Sequence, residues 1–311
     1  MWILLLVAMT VVAAAVLLAR WIRFCTDRPP VCPPASVHHS VATICDRPSI
    51  VCVGDSITHG RVSADYVGLL RRRFRAKGYR FINAGLNGDM AYNVLQRIDD
   101  IIRCHPALVT VMVGTNDAYA ALNPRNADEA RRQNSLPERP TIDTFRRDLS
   151  ALCLRLREAT AAPLALLSLP PLGEDPRHEA YRQTGAYSRT IEAVARQAGI
   201  AYLPVNEQMD ALLRPHARTP KLAFDRMTDA RYLGVKIRRF VLGFSLDAIS
   251  RRHGYRLLTD GIHLNPAGAA VVADAIETFI RTVEKNDSLR LPRYCTLYHQ
   301  GRLDDPQAQA P

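Results

Sequence analysis

The chain opens on an apolar stretch, Trp2 to Ala19, broken only by Thr10. At about 1.5 Å per helical residue this stretch spans nearly all of a hydrocarbon core of roughly 30 Å, and Trp21, Ile22 and Phe24 extend it at the interface. The pattern predicts a transmembrane helix within residues 1–24. No basic residue precedes the run and no small-x-small site follows it, so a retained anchor fits better than a cleaved signal peptide, which stays open. Residues 25–48 then become rich in proline (Pro29, Pro30, Pro33, Pro34), the composition of a stiff, extended linker.

From residue 49 the pattern changes to short apolar runs alternating with longer helical periodicities, as parallel strands joined by crossover helices require. Strands are predicted at Ile50–Val53, Arg80–Asn83, Leu108–Val113, Leu164–Leu169 and Ala201–Val205. Between them lie helical faces: Val67, Leu70 and Phe74 after a cap at Ser63 and ending at Gly78, then Val94, Ile98 and Ile101, then Ile142, Phe145, Leu149 and Leu156, then Ile191, Val194 and Ala198. A last helix starts at Asn265 with Pro266 in its first turn and turns Val272, Ile276 and Ile280 inward. The sum is an α/β fold, a three-layer α/β/α sandwich around a five-stranded parallel sheet of the flavodoxin-like kind. Such sheets bind ligands beyond the carboxyl ends of their strands, so chemistry is expected in the loops that follow them.

Composition narrows this only slightly. With 311 residues, 48% hydrophobic and 23% charged, the chain suits one large domain plus appendages: the domain at 49–283 and a polar, flexible tail at 284–311, where Leu291, Tyr294 and Leu297 are able to pack back. A net charge of +11 favours anionic surfaces without choosing among lipid, acidic substrate and nucleic acid. Seven cysteines in no regular framework argue against a fully disulfide-paired scaffold, and Cys52 and Cys153 fall in apolar runs as buried hydrophobes. Cys32, His38, His39 and Cys45 match no common zinc spacing, and neither do His105, His178, His216, His253 and His299.

The post-strand loops do carry chemistry. After the first strand comes Gly54-Asp55-Ser56-Ile57-Thr58-His59-Gly60, which sets a serine at a strand-to-helix turn; alone, such a serine is equally a helix cap. After the second comes Asn83-Ala84-Gly85-Leu86-Asn87-Gly88-Asp89, and after the third Gly114-Thr115-Asn116-Asp117, offering a backbone N–H and a side-chain amide as donors. Near the domain's end Asp260-Gly261-Ile262-His263-Leu264-Asn265-Pro266 puts an acid three residues before a histidine. A serine hydroxyl attacks poorly until an imidazole takes its proton, and the imidazole needs a carboxylate to fix its tautomer.

These four blocks, in this order over about residues 49 to 283, resemble the SGNH (GDSL-like) hydrolase superfamily. The resemblance implies an ester hydrolase working through an acyl-enzyme without metal or organic cofactor. It implies Ser56 as nucleophile, His263 as general base and Asp260 as its orienting acid, with Ser56, Gly88 and Asn116 supplying the oxyanion hole. The substrate would be a small-molecule or lipid ester. A non-catalytic, membrane-tethered binding module on the same scaffold is the alternative reading. A nucleic-acid partner has only charge in its favour, without a binding motif or interleaved aromatics. Oligomeric state is left open.

Asp55, Asp89 and Asp117 are expected to fix loops by accepting from backbone N–H groups, and His59 to lie on the far side of the serine's turn. Residues 214–256 are the least family-like part and strongly basic. Within them Leu233, Ile237, Phe240, Val241 and Phe244 follow helical spacing, which reads either as a packed helix with a solvated face or as an interfacial cap over the site. Arg20, Arg23 and Arg28 directly after the apolar run favour the cytoplasmic side for the domain, with the extracytoplasmic side open.

Overall fold

In the computed structural model of the chain, residues 2–37, 46–217, 219–226, 229–286, 289 and 295 are described. His38, His39, Cys45, Leu291, Tyr294, Leu297 and His299, singled out by sequence, lie outside them. The N-terminal helix α1 runs unbroken over Trp2–Asp27. It is long and apolar enough to cross a membrane, a property that signal sequences share.

Five strands follow: β1 (Ser49–Gly54), β2 (Arg80–Gly85), β3 (Leu108–Met112), β4 (Leu164–Leu167) and β5 (Ala201–Leu203). They form one sheet in the order β2-β1-β3-β4-β5. All four pairings are parallel, with Val51 opposite Ile82 and Val109, Val111 opposite Leu166, and Leu167 opposite Leu203. Both faces are covered, so alternate residues enter different cores, as a period of two dictates. Val51, Val53, Ile82, Val109 and Val111 join one, while Ile50, Cys52, Phe81, Leu108 and Met112 join the other. The chain order reverses between β1 and β3, and the crevice opened at that switch point is where the loops after these two strands meet.

The helices are α2 (Ser56–His59), α3 (Tyr66–Arg73), α4 (Ala91–Gln96), α5 (Ile98–Ile102), α6 (Thr115–Ala120), α7 (Pro124–Gln133), α8 (Ile142–Ala159), α9 (Glu179–Ala198), α10 (Val205–Leu213), α11 (Asp229–Phe240), α12 (Leu246–His253) and α13 (Pro266–Lys285). Phe145, Leu149 and Leu156 of α8 and Ile191 and Val194 of α9 pack on the first core. Val67 and Leu70 of α3 and Val272, Ile276 and Ile280 of α13 pack on the second.

Several expectations need correction. Asp65, rather than Ser63, caps α3, its carboxylate accepting from Gly68 N–H at 2.7 Å. The single helix expected around Val94, Ile98 and Ile101 is two, α4 and α5, broken at Arg97, whose side chain turns inward to bond the Ala84 carbonyl. The basic helix ends at Phe240, so Val241 and Phe244 lie beyond it: a Leu242 N–H to Ile237 carbonyl bond closes the last turn and Gly243 follows at a φ of 70°. The proline-rich stretch is not a free extended spacer. Val37 is buried in the first core, and the Cys32 carbonyl accepts from Asn83 N–H at 2.9 Å. Beyond α13, Leu289 packs on the second core and Cys295 is buried and disulfide-bonded, so the tail is tied down at these points. Cys25, Cys32, Cys52, Cys104 and Cys153 form no disulfide, with Cys52 and Cys153 fully buried as expected.

Candidate active site

β1 delivers its chain straight into the crevice, and Gly54 permits it: a Cβ there would overlap the Thr58 side chain and the Met112 carbonyl of β3. Asp55 then caps α2, its buried carboxylate accepting from Ile57 N–H at 2.9 Å. Burial, partly offset by that bond, pushes the Asp55 carboxyl up to about 7. Ser56 is the first residue of α2 and is 9% exposed. Asn83 of β2 donates to the Thr58 carbonyl at 2.8 Å, pinning α2 from the neighbouring strand.

The Ser56 Oγ stands 3.0 Å from His263 Nε2, although 207 residues separate them. The other ring nitrogen, Nδ1, lies 2.8 Å from Asp260 Oδ2. Asp260 also accepts from the N–H groups of His263 (2.8 Å) and Ile262 (3.1 Å), so the carboxylate organises the turn that carries the imidazole. Burial opposes ionisation of Asp260, but the adjacent imidazole and these hydrogen bonds outweigh it and hold the carboxyl below its usual range. For His263 burial alone would lower the pKa, yet Asp260 and, less strongly, Asp55 raise it above the ordinary histidine value.

Gly88 and Asn116 line one cleft of about 390 Å³ with Ile262, the residue before His263. Gly88 sits at a φ of 83°, a conformation that a side chain would disfavour. One Asn116 amide hydrogen goes to the Asp89 carbonyl at 2.9 Å, which fixes the plane of the amide beside the cleft. The remainder of the lining is largely polar, including Asn126, Glu129, Gln133, Asn134 and Lys236.

The neighbouring carboxylates act mainly on loops. Asp117 accepts from Ala91 N–H at 3.2 Å, and burial pushes its carboxyl up to about 7. Asp89 departs from expectation: its carboxylate pairs with Arg97 at 2.7 Å instead of a backbone N–H. Arg97 also donates to the Ala84 and Gly54 carbonyls, gathering the ends of β1 and β2. His59, the last residue of α2, is buried, and desolvation lowers its pKa. His253 is a satisfied core histidine bonded to the Thr259 carbonyl. Among the described residues no group of three or more His, Cys, Asp or Glu is placed to hold a metal ion.

Two positioning residues escaped the sequence reading. Ser63 accepts from Leu264 N–H at 3.1 Å, holding the far side of the His263 loop. Glu174, in the loop after β4, is 5% exposed and accepts from the N–H groups of Arg256, Leu257 and Leu258 at 2.7 to 2.8 Å. It fastens the segment that enters Asp260. The sequence offered only an acidic pair, Glu174-Asp175, shortly after Pro170-Pro171. Glu174→Ala leaves three N–H groups without their acceptor, at about 1–3 kcal/mol for each that water does not rescue. A lower urea midpoint and a lower kcat are expected together, and an unchanged midpoint would show that the clamp is not structural.

The model of the GDSL-like Lipase/Acylhydrolase family matches residues 52–271. No curated protein matches the sequence. Among solved structures, the fold is similar to that of the acetyl xylan esterase AlAXEase, with a TM-score of 0.54 and 20% identity over 75% of this chain and 99% of that one. It is similar to Axe2, an acetylxylan esterase from Geobacillus stearothermophilus, with a TM-score of 0.52 and 17% identity over 74% and 93% of the two chains. LAE5, an alpha/beta hydrolase enzyme from the metagenome of Lake Arreo, Spain, gives a TM-score of 0.51 and 18% identity over 79% and 99%. Identities this low establish the fold and nothing finer.

Proposed function

Because the chain belongs to the GDSL-like lipase/acylhydrolase family and is thereby an ester hydrolase, we propose that it is a membrane-anchored serine esterase in which Ser56, His263 and Asp260 form the catalytic relay. The observation that carries this reading is the continuous line from the Ser56 hydroxyl through both ring nitrogens of His263 to the Asp260 carboxylate.

The chemistry follows from that line. With Nδ1–H donating to Asp260, Nε2 is the acceptor and takes the Ser56 proton as Oγ attacks the ester carbonyl. Negative charge then grows on the carbonyl oxygen, and the N–H groups of Ser56 and Gly88 and the Asn116 amide stabilise it. His263 returns the proton to the departing alcohol, leaving an acyl-Ser56. Water, activated by the same imidazole, releases the acid and restores the serine. Asn116→Ala is expected to lower kcat about a hundredfold to a thousandfold with little change in KM. Unchanged turnover would remove Asn116 from the oxyanion hole.

The polar cleft bears on the substrate. A long alkyl chain laid against Asn126, Gln133 and Asn134 would strip their amides of water without replacing its hydrogen bonds, whereas a hydroxyl-rich group supplies partners. A short acyl group on a polar, hydroxyl-bearing alcohol therefore fits best. An ester panel varying acyl length and alcohol polarity checks this, and preference for long acyl chains on apolar alcohols would sink it. Helix α1 supplies the anchor.

A further inference from the structure

The last turn of α1 is built into the active-site face. Ile22 and Thr26 are buried, and the final carbonyls of the helix, which have no partners within it, are claimed by side chains from the loops around the site. Arg61, just past α2, donates to the Cys25 carbonyl at 3.1 Å, and Asn87, next to Gly88, donates to the Thr26 carbonyl at 2.9 Å. Residues 2–21 amount to about 30 Å of helix, so this docked turn begins where a hydrocarbon core ends.

Helix α11 packs against α1, and its Tyr232 and Lys236 line the cleft. In the turn beyond α11, Val241, Leu242 and Phe244 are 45, 59 and 44% exposed. Between α11 and α12 lies a second cavity of about 320 Å³, lined by Lys221, Arg231, Arg238, Arg252 and the buried His253, with no carboxylate among the described residues of its wall. A large apolar turn beside a cavity rich in lysine and arginine, on the helix that touches the anchor, matches a lipid surface with anionic headgroups.

We propose that α11, the 241–244 turn and the α11–α12 cavity form a docking face for an anionic membrane, the turn entering below the headgroups and the cavity seating a headgroup phosphate. This holds the polar cleft at the headgroup layer, so the substrate is an ester presented at the membrane surface. The inference rests on the anchor assigned to α1 and on the cleft, and its test does not need turnover.

Both natural tryptophans, Trp2 and Trp21, lie in α1, so Phe244→Trp in a Trp2→Phe, Trp21→Phe full-length chain reports on the turn alone. The protein is reconstituted into phosphatidylcholine vesicles carrying brominated acyl chains, with or without phosphatidylglycerol. Quenching at Phe244→Trp is expected to be about twofold stronger with phosphatidylglycerol and to fall to the phosphatidylcholine level in Lys221→Ala/Arg238→Ala/Arg252→Ala. Leu154→Trp, on an exposed position of α8, is expected to stay unquenched. Absence of quenching at Phe244→Trp, including a blue shift without quenching that marks cover by a second copy or another protein, overturns the proposal. So does equal quenching in both lipids, no effect of the triple variant, or saturation of the cavity by inorganic phosphate with no dependence on lipid. Hydrolysis of a soluble acetate ester in the same samples is expected to be unchanged. Its absence there, with quenching intact, would strike the esterase reading and leave the docking face standing.

Discussion

Ser56→Ala is expected to lower kcat on the order of a millionfold and to abolish covalent labelling by a fluorophosphonate. The size follows from the relay acting as a unit: without Oγ there is no acyl-enzyme, and the imidazole and carboxylate have no proton to manage. The oxyanion donors proposed at Gly88 and Asn116 remain in the variant, so a residual rate of about a thousandfold or more over water is expected to persist. The fold should be intact, since the small helix is capped by the Asp55 carboxylate and pinned by Asn83 without help from the Ser56 hydroxyl. Labelling that survives in Ser56→Ala would move the nucleophile elsewhere. A wild type that neither labels nor turns over any ester would favour a binding module on this scaffold.

Asp260→Asn is expected to lower kcat by about ten-thousandfold and to move the acid limb of the pH–rate profile downward. An asparagine amide facing Nδ1 favours the wrong imidazole tautomer, with the proton on Nε2 where the Ser56 hydroxyl has to donate. The direction of the pH effect follows from the charges. His263 works as a base only when neutral, so activity rises as pH climbs through its pKa. Burial opposes protonation, but Asp260 more than compensates and sets that pKa above the usual value of about 6.5. Removing the carboxylate leaves burial dominant, and the residual activity of Asp260→Asn should reach its plateau at lower pH than wild type. A profile that does not move would mean that Asp260 contributes no field at the ring. Because Asp260 also holds the N–H groups of Ile262 and His263, a urea midpoint measured alongside separates a displaced loop from a changed proton affinity.

These effects are large because residues from separate loops have to agree in position. The Glu174 clamp, the Ser63 hydroxyl and Arg97 each hold one loop to another across the ends of the strands. None of them touches the reacting atoms, and each is expected to act through the position of Asp260, His263 or Gly88.

The sequence by itself determined the architecture and the chemistry on offer. Strands buried on both faces read as short apolar runs, and helices such as α8 and α13 read through their 3.6-residue faces, because burial against a sheet imposes those periods locally. The serine, glycine, asparagine and Asp-x-x-His blocks were legible for the same reason: each sits at the end of a strand or the start of a helix, where neighbours in the chain define the backbone. Tertiary structure alone decided the rest. Asp65 took the cap expected of Ser63 because the His263 loop claims the Ser63 hydroxyl, and Arg97 broke a helical pattern because β1, β2 and Asp89 claim its guanidinium. Glu174 serves N–H groups more than 80 residues further along, and α1 ends on side chains from two different loops. Periodicity records which face of an element is buried. It carries no record of which distant polar group will satisfy a donor at a loop, since that depends on how the whole sheet is ordered.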